Sequence, residues 1–145
     1  MLLEAHALLT DILGRELEEA GAPPLTWYDV LVQLAMAPGD RLPMKGLAES
    51  VVLSKSGITR LVDRMVDAGF IERAACPTDR RIVYAQLTPS GRAALKKAMP
   101  VHFAGVERHL LSHLTDPEAR ALRNALGKVI DAARETGGAD GRKAG

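Results

Sequence analysis

Apolar residues open the chain at the spacing of one helical face. Between residues 2 and 19 they recur every three or four positions, which predicts an amphipathic helix. The Pro23-Pro24 pair ends this helix, because proline lacks the backbone N–H that a helix interior needs. Thr26 is a candidate cap for a second helix that reaches about Met36, and Pro38-Gly39-Asp40 ends it.

A short helix and a strongly two-faced helix follow. Residues 41–43 form a brief extended connector before a helix at residues 44–51. Ser54 is a candidate N-cap for the next helix, which runs to about residue 68 and stops at Gly69. Its apolar positions are Ile58, Leu61, Val62, Met65 and Val66. Its polar positions on the opposite arc are Ser56, Thr59, Arg60, Asp63, Arg64 and Asp67.

The rest of the chain predicts a hairpin and two more helices. Residues 70–75 and 82–87 have the composition of strands, and the turn between them is Cys76-Pro77-Thr78-Asp79-Arg80-Arg81. Thr88-Pro89 begins a helix toward residue 114, which Pro100 should bend or divide. A last helix runs from Thr115 to about residue 136, and residues 137–145 are expected to be disordered.

The composition narrows the possible classes of protein. The 145 residues suffice for one domain, and with 47% hydrophobic residues the chain can fold. Aromatic residues make up only 3%, which argues against a stacking platform for single-stranded nucleic acid. No apolar run is long enough to cross a membrane, and the start lacks the features of a secretory signal. The expected location is therefore cytoplasmic, without a membrane partner.

Charge is distributed unevenly although its sum is only +1. Residues 1–36 contain six acidic side chains and one basic one, whereas residues 37–92 contain nine basic and six acidic ones. A locally basic surface can bind a polyanion even in a nearly neutral chain.

The order of these elements indicates a winged helix-turn-helix. A helix with short polar and arginine side chains on one face suits the major groove of duplex DNA. An adjacent hairpin can bring arginines to the minor groove, where the negative potential is enhanced. The predicted fold is therefore mainly α with a small β-hairpin wing (α+β), flanked by helical dimerisation elements.

Several motifs resemble the MarR (multiple antibiotic resistance regulator) family over about residues 3–135. The matching motifs are Leu25-Thr26-Trp27, Leu47-Ala48-Glu49, Ser54-Lys55-Ser56-Gly57-Ile58-Thr59-Arg60-Leu61-Val62-Asp63-Arg64-Met65, Gly69-Phe70-Ile71-Glu72-Arg73, Asp79-Arg80-Arg81 and Leu87-Thr88-Pro89-Ser90-Gly91. The resemblance implies a homodimeric regulator that binds a palindromic operator, often a repressor released by a small aromatic or anionic effector.

The resemblance also implies roles for residues. In the wing motif, Arg81 would enter the minor groove and Asp79 would steady it. The predicted DNA-binding set is Lys45, Ser54, Lys55, Ser56, Thr59, Arg60, Arg64, Asp79, Arg80 and Arg81. Asp63 and Asp67 are expected to pair with Arg60 or Arg64 at helical spacing rather than to touch DNA. The candidate lining of an effector pocket is His6, Trp27, Tyr28 and His102, although Trp27 could equally be a core anchor.

In this reading the chain has four parts. Residues 1–36 contribute to dimerisation and to the effector pocket, and residues 37–88 form the DNA-binding lobe. Residues 89–136 are the C-terminal dimerisation helices, and residues 137–145 are the tail.

Three alternatives remain open at this stage. His109 and His113 lie four residues apart on one predicted helix, a spacing that can hold a metal, but no second ligand pair is evident. Cys76 in the wing could make the regulator thiol-responsive, although a bystander thiol is the simpler interpretation. The fold could also serve as a protein-interaction module. No catalytic constellation or cofactor motif is recognisable, so neither an enzyme nor a cofactor is expected.

Overall fold

The protein is mainly helical with one small antiparallel sheet. The computed structural model describes residues 1–51 and 55–140. The elements in chain order are α1 (Leu2–Glu19), α2 (Leu25–Met36), β1 (Arg41–Pro43), α3 (Met44–Ser50), α4 (Lys55–Asp67), β2 (Ile71–Ala75), β3 (Val83–Leu87), α5 (Pro89–His109) and α6 (Asp116–Asp140). The predicted helical fold with a β wing is confirmed.

The chain divides into two compact units. The first comprises Met1–Gly105, and the second consists of the residues from Val106 onwards. The core lies in the first unit, where α2, α4, the sheet and α5 contribute most of the buried side chains. These include Leu17, Tyr28, Val30, Leu31, Leu34, Leu47, Ile58, Leu61, Val62, Met65, Ile71, Ala85, Leu87, Leu95 and Ala98.

The sheet has one strand more than the sequence predicts. β3 lies in the centre and pairs antiparallel with β2 on one side and with β1 on the other. The residues of β1 were expected to form only an extended connector. Three residues are too few to show the alternation of a strand, and this strand exists because the edge of β3 satisfies its backbone groups.

Three helix features also differ from expectation. α2 begins at Leu25 with Pro24 in the capping position, so Thr26 is not the cap. α5 is continuous from Pro89 to His109, so the expectation that Pro100 could divide it is wrong. Leu95 before this proline and Gly105 after it are both buried, and this packing offsets the roughly 3 kcal/mol cost of a proline inside a helix. α6 continues to Asp140 rather than ending near residue 136, since a helix can include glycine at a cost of about 1 kcal/mol. Residues 141–145 lie outside the described part.

A junction after α4 joins the helix, the wing and α5. Gly69 ends α4 with a φ of 77°, a conformation that favours glycine. The Thr88 hydroxyl donates to the Gly69 carbonyl oxygen at 2.6 Å and accepts from the Gly91 N–H at 3.0 Å. The Thr88 N–H donates to the Phe70 carbonyl oxygen at 3.1 Å. Thr88 therefore caps α5 and ties it to the end of α4.

Gly91 is required at this junction. A Cβ on this residue would lie well inside van der Waals contact with the Phe70 carbonyl oxygen, and 2.9 Å from Leu87 Cδ1. The main obstacle is backbone, which cannot move aside as a flexible side chain can.

We expect Gly91→Ala to lower the free energy of unfolding by about 1–3 kcal/mol, the usual range for overpacking. The matched control is Gly14→Ala in α1, where an added Cβ meets nothing within 4 Å. That substitution should be neutral or stabilising by roughly 0.5–1 kcal/mol. Urea unfolding followed by circular dichroism measures both, and equal stability of the two variants would contradict this account.

Candidate nucleic-acid interface

α4 presents one polar face to solvent because its other face is buried. Ile58 and Leu61 are each only 2% exposed, and Val62 and Met65 are fully buried. On the opposite face Thr59, Arg60 and Arg64 are exposed. The predicted orientation of this helix is therefore confirmed.

The predicted contacts around the start of α4 are only partly described. Ser54 lies outside the described residues, as do the side chains of Lys55 and Ser56, whose backbone forms the first turn of α4. Lys45 is exposed in the first turn of α3, the helix that precedes α4. Its position is compatible with a phosphate contact.

Asp63 pairs with the wing rather than with its own helix. The Arg73 guanidinium, on strand β2, donates to the Asp63 carboxylate at 2.6 Å. The expectation that Asp63 would pair with Arg60 or Arg64 is wrong, because tertiary packing brings a strand arginine to the carboxylate. This ion pair connects α4 to the first strand of the wing.

The wing is a regular hairpin with a closed tip. β2 and β3 are paired from Ile71 opposite Leu87 to Ala75 opposite Val83. The Cys76 N–H then donates to the Ile82 carbonyl oxygen at 3.1 Å. The turn that carries Asp79, Arg80 and Arg81 therefore stands at the end of a paired ladder.

Asp79 holds Arg81 at the tip of this hairpin. The Asp79 carboxylate accepts from the Arg81 backbone N–H at 3.0 Å, from Nε at 3.1 Å and from Nη2 at 3.1 Å. The Arg81 side chain is nevertheless 90% exposed. Hydrogen bonds from the Arg81 side chain, and secondarily from its backbone, hold the pKa of Asp79 below its ordinary value. The result is an oriented guanidinium that remains available to an external anion.

Two contacts at the base of the lobe were not predicted. The Arg41 guanidinium lies over the Tyr84 ring, 4.8 Å from its centroid, and so joins β1 to β3 by a cation–π contact. Arg92 of α5 donates to the Asp40 carboxylate. The sequence shows only that Arg41 precedes the hairpin and Arg92 follows it. Which side chains these arginines contact depends on the fold.

A cavity of about 880 Å³ lies in the first unit. Three of the four predicted pocket residues line it, namely His6, Tyr28 and His102. Trp27 is not among the lining residues; its ring packs edge-on against Phe70, with centroids 5.8 Å apart. Trp27 and Tyr28 are adjacent on α2, so their side chains leave the helix about 100° apart. Tyr28 is in the core cluster and also reaches the cavity wall, whereas Trp27 is partly buried against the core beside Phe70.

An acidic group missed by the sequence analysis also lines this cavity. Asp29 as a whole is exposed to solvent. Enough protein nevertheless surrounds its carboxyl group that burial raises the pKa of this group. Burial lowers the pKa of His102 below its ordinary value of 6.5, partly offset by the charge of Asp29. This shift favours the neutral form of His102, whose ring packs at a tilt of 34° against Tyr28 with centroids 4.4 Å apart. Its Nδ1 is buried without a partner among the described residues.

The structure also describes the residues of the metal and thiol alternatives, His109, His113 and Cys76. His109 ends α5 and His113 lies in the following 3-10 turn, so the two are not on one continuous helix as predicted. Among the described residues, no three His, Cys, Asp or Glu side chains are grouped to hold a metal. Cys76 lies in the wing with its Sγ 3.3 Å from the Thr78 hydroxyl, and this hydrogen bond lowers the pKa of the thiol.

None of the helices that the structure describes combines the length and apolar character needed to cross a bilayer.

Comparisons with known proteins agree with this geometry. A sequence model of the MarR family matches residues 23–82. The multiple antibiotic resistance protein MarR of Salmonella typhimurium is 33% identical over 105 residues, which cover 72% of each chain.

Two solved structures from Streptomyces coelicolor are similar over most of their length. The MarR family transcriptional regulator AbsC is 34% identical with a TM-score of 0.85, covering 92% of this chain and 89% of AbsC. The MarR family transcriptional regulator Sco3205, solved in complex with DNA, is 31% identical with a TM-score of 0.84. That match covers 90% of this chain and 82% of Sco3205.

The Asp79–Arg81 contact predicts a measurable titration. We expect Arg81→Gln to raise the pKa of Asp79 part of the way to its ordinary value, because the backbone N–H bond remains. In the wild type the carboxylate should therefore stay ionised to a lower pH than in the variant. Carbon-detected NMR of the Asp79 carboxyl measures this, with Arg80→Gln as the control that removes the same charge from the same turn. An equal shift in both variants would rule out a specific contact.

Proposed function

The chain belongs to the MarR family, and on that premise we propose that it is a homodimeric repressor of a palindromic operator, relieved by a small aromatic effector. As a member of this family it is a DNA-binding transcriptional regulator and not an enzyme. The observation that carries the proposal is the Asp79-held Arg81, exposed at the wing tip of the same unit that exposes the polar face of α4.

The contacts divide between the two grooves. Thr59, Arg60 and Arg64 of α4 enter the major groove together with residues 54–56, where hydroxyl and guanidinium groups reach base edges or phosphates. Arg81 enters the minor groove, and its orientation by Asp79 reduces the entropy lost on binding. Arg80 and Lys45 contact phosphates, which contributes affinity without sequence preference.

Exposed apolar side chains at both ends of the chain support a homodimer. In the first unit Leu2, Leu3 and Leu8 of α1 are 60%, 82% and 59% exposed. In the second unit Val129 and Ile130 of α6 are 62% and 48% exposed. Apolar patches of this kind on a small chain mark interaction surfaces. Two-fold pairing would set the two α4 helices roughly 34–36 Å apart, one turn of DNA.

The cavity supports control by an effector. Its residues come from α1, α2, α3 and α5, so a ligand there contacts both the terminal helices of the first unit and the helix that precedes α4. A ligand that binds one arrangement of these helices more tightly shifts the population away from the DNA-binding form.

We expect Arg81→Ala to weaken binding to the selected operator by about 1–3 kcal/mol, the usual value of one specific contact. The control is Arg15→Ala, because Arg15 is exposed on α1 and pairs with Asp11 away from the wing. Operators are first selected from genomic DNA, and affinities are then measured by fluorescence anisotropy at fixed salt. Wild-type affinity in the Arg81 variant would refute the wing assignment.

We expect Ile130→Asp to shift the chain from dimer to monomer and to reduce operator affinity, since a buried, unpaired carboxylate is costly at an interface. Lys128→Asp introduces the same group on the opposite face of α6 and should leave the dimer intact. Light scattering after size-exclusion chromatography gives the mass. A wild-type chain that is monomeric at micromolar concentration contradicts the proposal.

A further inference from the structure

We propose that the cavity selects aromatic ligands that carry a positive charge, and not the anionic ones among the aromatic or anionic effectors that the family resemblance implied. This inference rests on the proposed effector control and specifies the chemical class of the effector. It depends on four properties of the cavity walls: their charge, their aromatic faces, their size and their position.

The charge of the cavity favours a cation. Asp29 lines it, and none of the lining residues that the structure describes is a lysine or an arginine. The imidazoles on the described wall are those of His6 and His102, and burial lowers the pKa of His102, which favours its neutral form. An anionic ligand would thus meet a carboxylate without a compensating lysine or arginine on the described walls, whereas a cation would form an ion pair with Asp29.

Aromatic faces on the wall suit the same class of ligand. The rings of Tyr28 and His102 pack at a tilt of 34° with centroids 4.4 Å apart, and Phe103 lies next to His102 with ring centroids 6.1 Å apart. Tyr28 is buried with His102 against its ring, so the exposed Phe103 ring is the aromatic face most open to a ligand. The face of a phenyl ring carries negative potential, so it attracts organic cations as well as aromatic rings.

The size of the cavity indicates a ligand of two or three rings. A volume of about 880 Å³ lies within the range of sites for drug-sized molecules. Met36 and Phe103, which line it, are 79% and 58% exposed. These flexible or flat apolar groups can pack against the ring system, while the Asp29 carboxylate on the same wall binds the charged group.

The position of Asp29 links ligand charge to α2. Asp29 follows Tyr28 on this helix, and Tyr28 is 5% exposed and belongs to the core cluster. An ion pair at Asp29 therefore acts on a helix that is anchored in the core of the DNA-binding unit. Loss of the carboxylate should weaken the binding of a cation and leave the binding of a neutral ligand almost unchanged.

The test uses three indole probes that share the ring and carry 3-substituents of similar size and different charge: tryptamine as the cation, indole-3-ethanol as the neutral form and indole-3-acetate as the anion. Isothermal titration calorimetry on the full-length protein measures their affinities. We expect tryptamine to bind most tightly and indole-3-acetate most weakly, with about a tenfold difference between the two.

The decisive variant is Asp29→Asn, which keeps the size of the side chain and removes its charge. We expect it to weaken tryptamine binding about fivefold, given the exposure of Asp29, and to change indole-3-ethanol binding by less than twofold. The control is Glu19→Gln, an exposed residue at the end of α1 that does not line the cavity. It removes the same charge from the chain and should change neither affinity.

The outcomes test the cation preference and the proposed effector control separately. Equal or tighter binding of indole-3-acetate, no effect of Asp29→Asn, or no binding of any probe overturns the cation preference. If tryptamine binds as expected but never releases operator DNA in the anisotropy assay, the cation preference stands and effector control is refuted. The sole tryptophan is a poor probe here, because Trp27 packs on Phe70 instead of lining the cavity.

Discussion

Burial of the apolar face of α4 is the constraint on which the rest of this protein depends. Four of its side chains are at most 2% exposed, and each contributes roughly 1.5–3 kcal/mol relative to an exposed position. Rotation of the helix about its axis would expose them, so the helix has one orientation. The burial of these side chains thereby sets the direction in which α4 turns the polar face that we assign to DNA, and the Asp63–Arg73 ion pair then connects that face to the wing.

The wing is held by a different set of forces. Backbone hydrogen bonds pair its two strands, and Thr88 and Gly91 fix its base at the junction with α5. The Asp63–Arg73 ion pair connects it to α4. At the tip, Asp79 orients Arg81 while leaving its guanidinium in solvent. An exposed ion pair of this kind adds little to stability. Its value lies in orienting a charged group before binding.

The cavity in the first unit combines features that serve stability with others that do not. Tyr28 belongs to the core, whereas the buried Nδ1 of His102, which has no partner among the described residues, and the desolvated carboxyl of Asp29 are both unfavourable. Strained or poorly satisfied polar groups are often found at binding sites. His102 and Asp29 therefore fit a ligand site better than a purely structural role.

The sequence alone determined the helices, the hairpin and the polar face of α4. The spacing of apolar residues, a glycine at the end of a helix and a proline at its start are local signals, so they can be recognised without knowing which elements pack together. The resemblance to the family's wing motif also identified Asp79 and Arg81, which are two residues apart and interact within one turn. Only the tertiary structure decided which charges pair over long distances, as with Asp63 and Arg73 or Asp40 and Arg92. It alone added β1 to the sheet, turned Trp27 away from the cavity and brought Asp29 to its wall. These outcomes depend on which surfaces meet once the core is packed, and spacing along the chain does not contain that information.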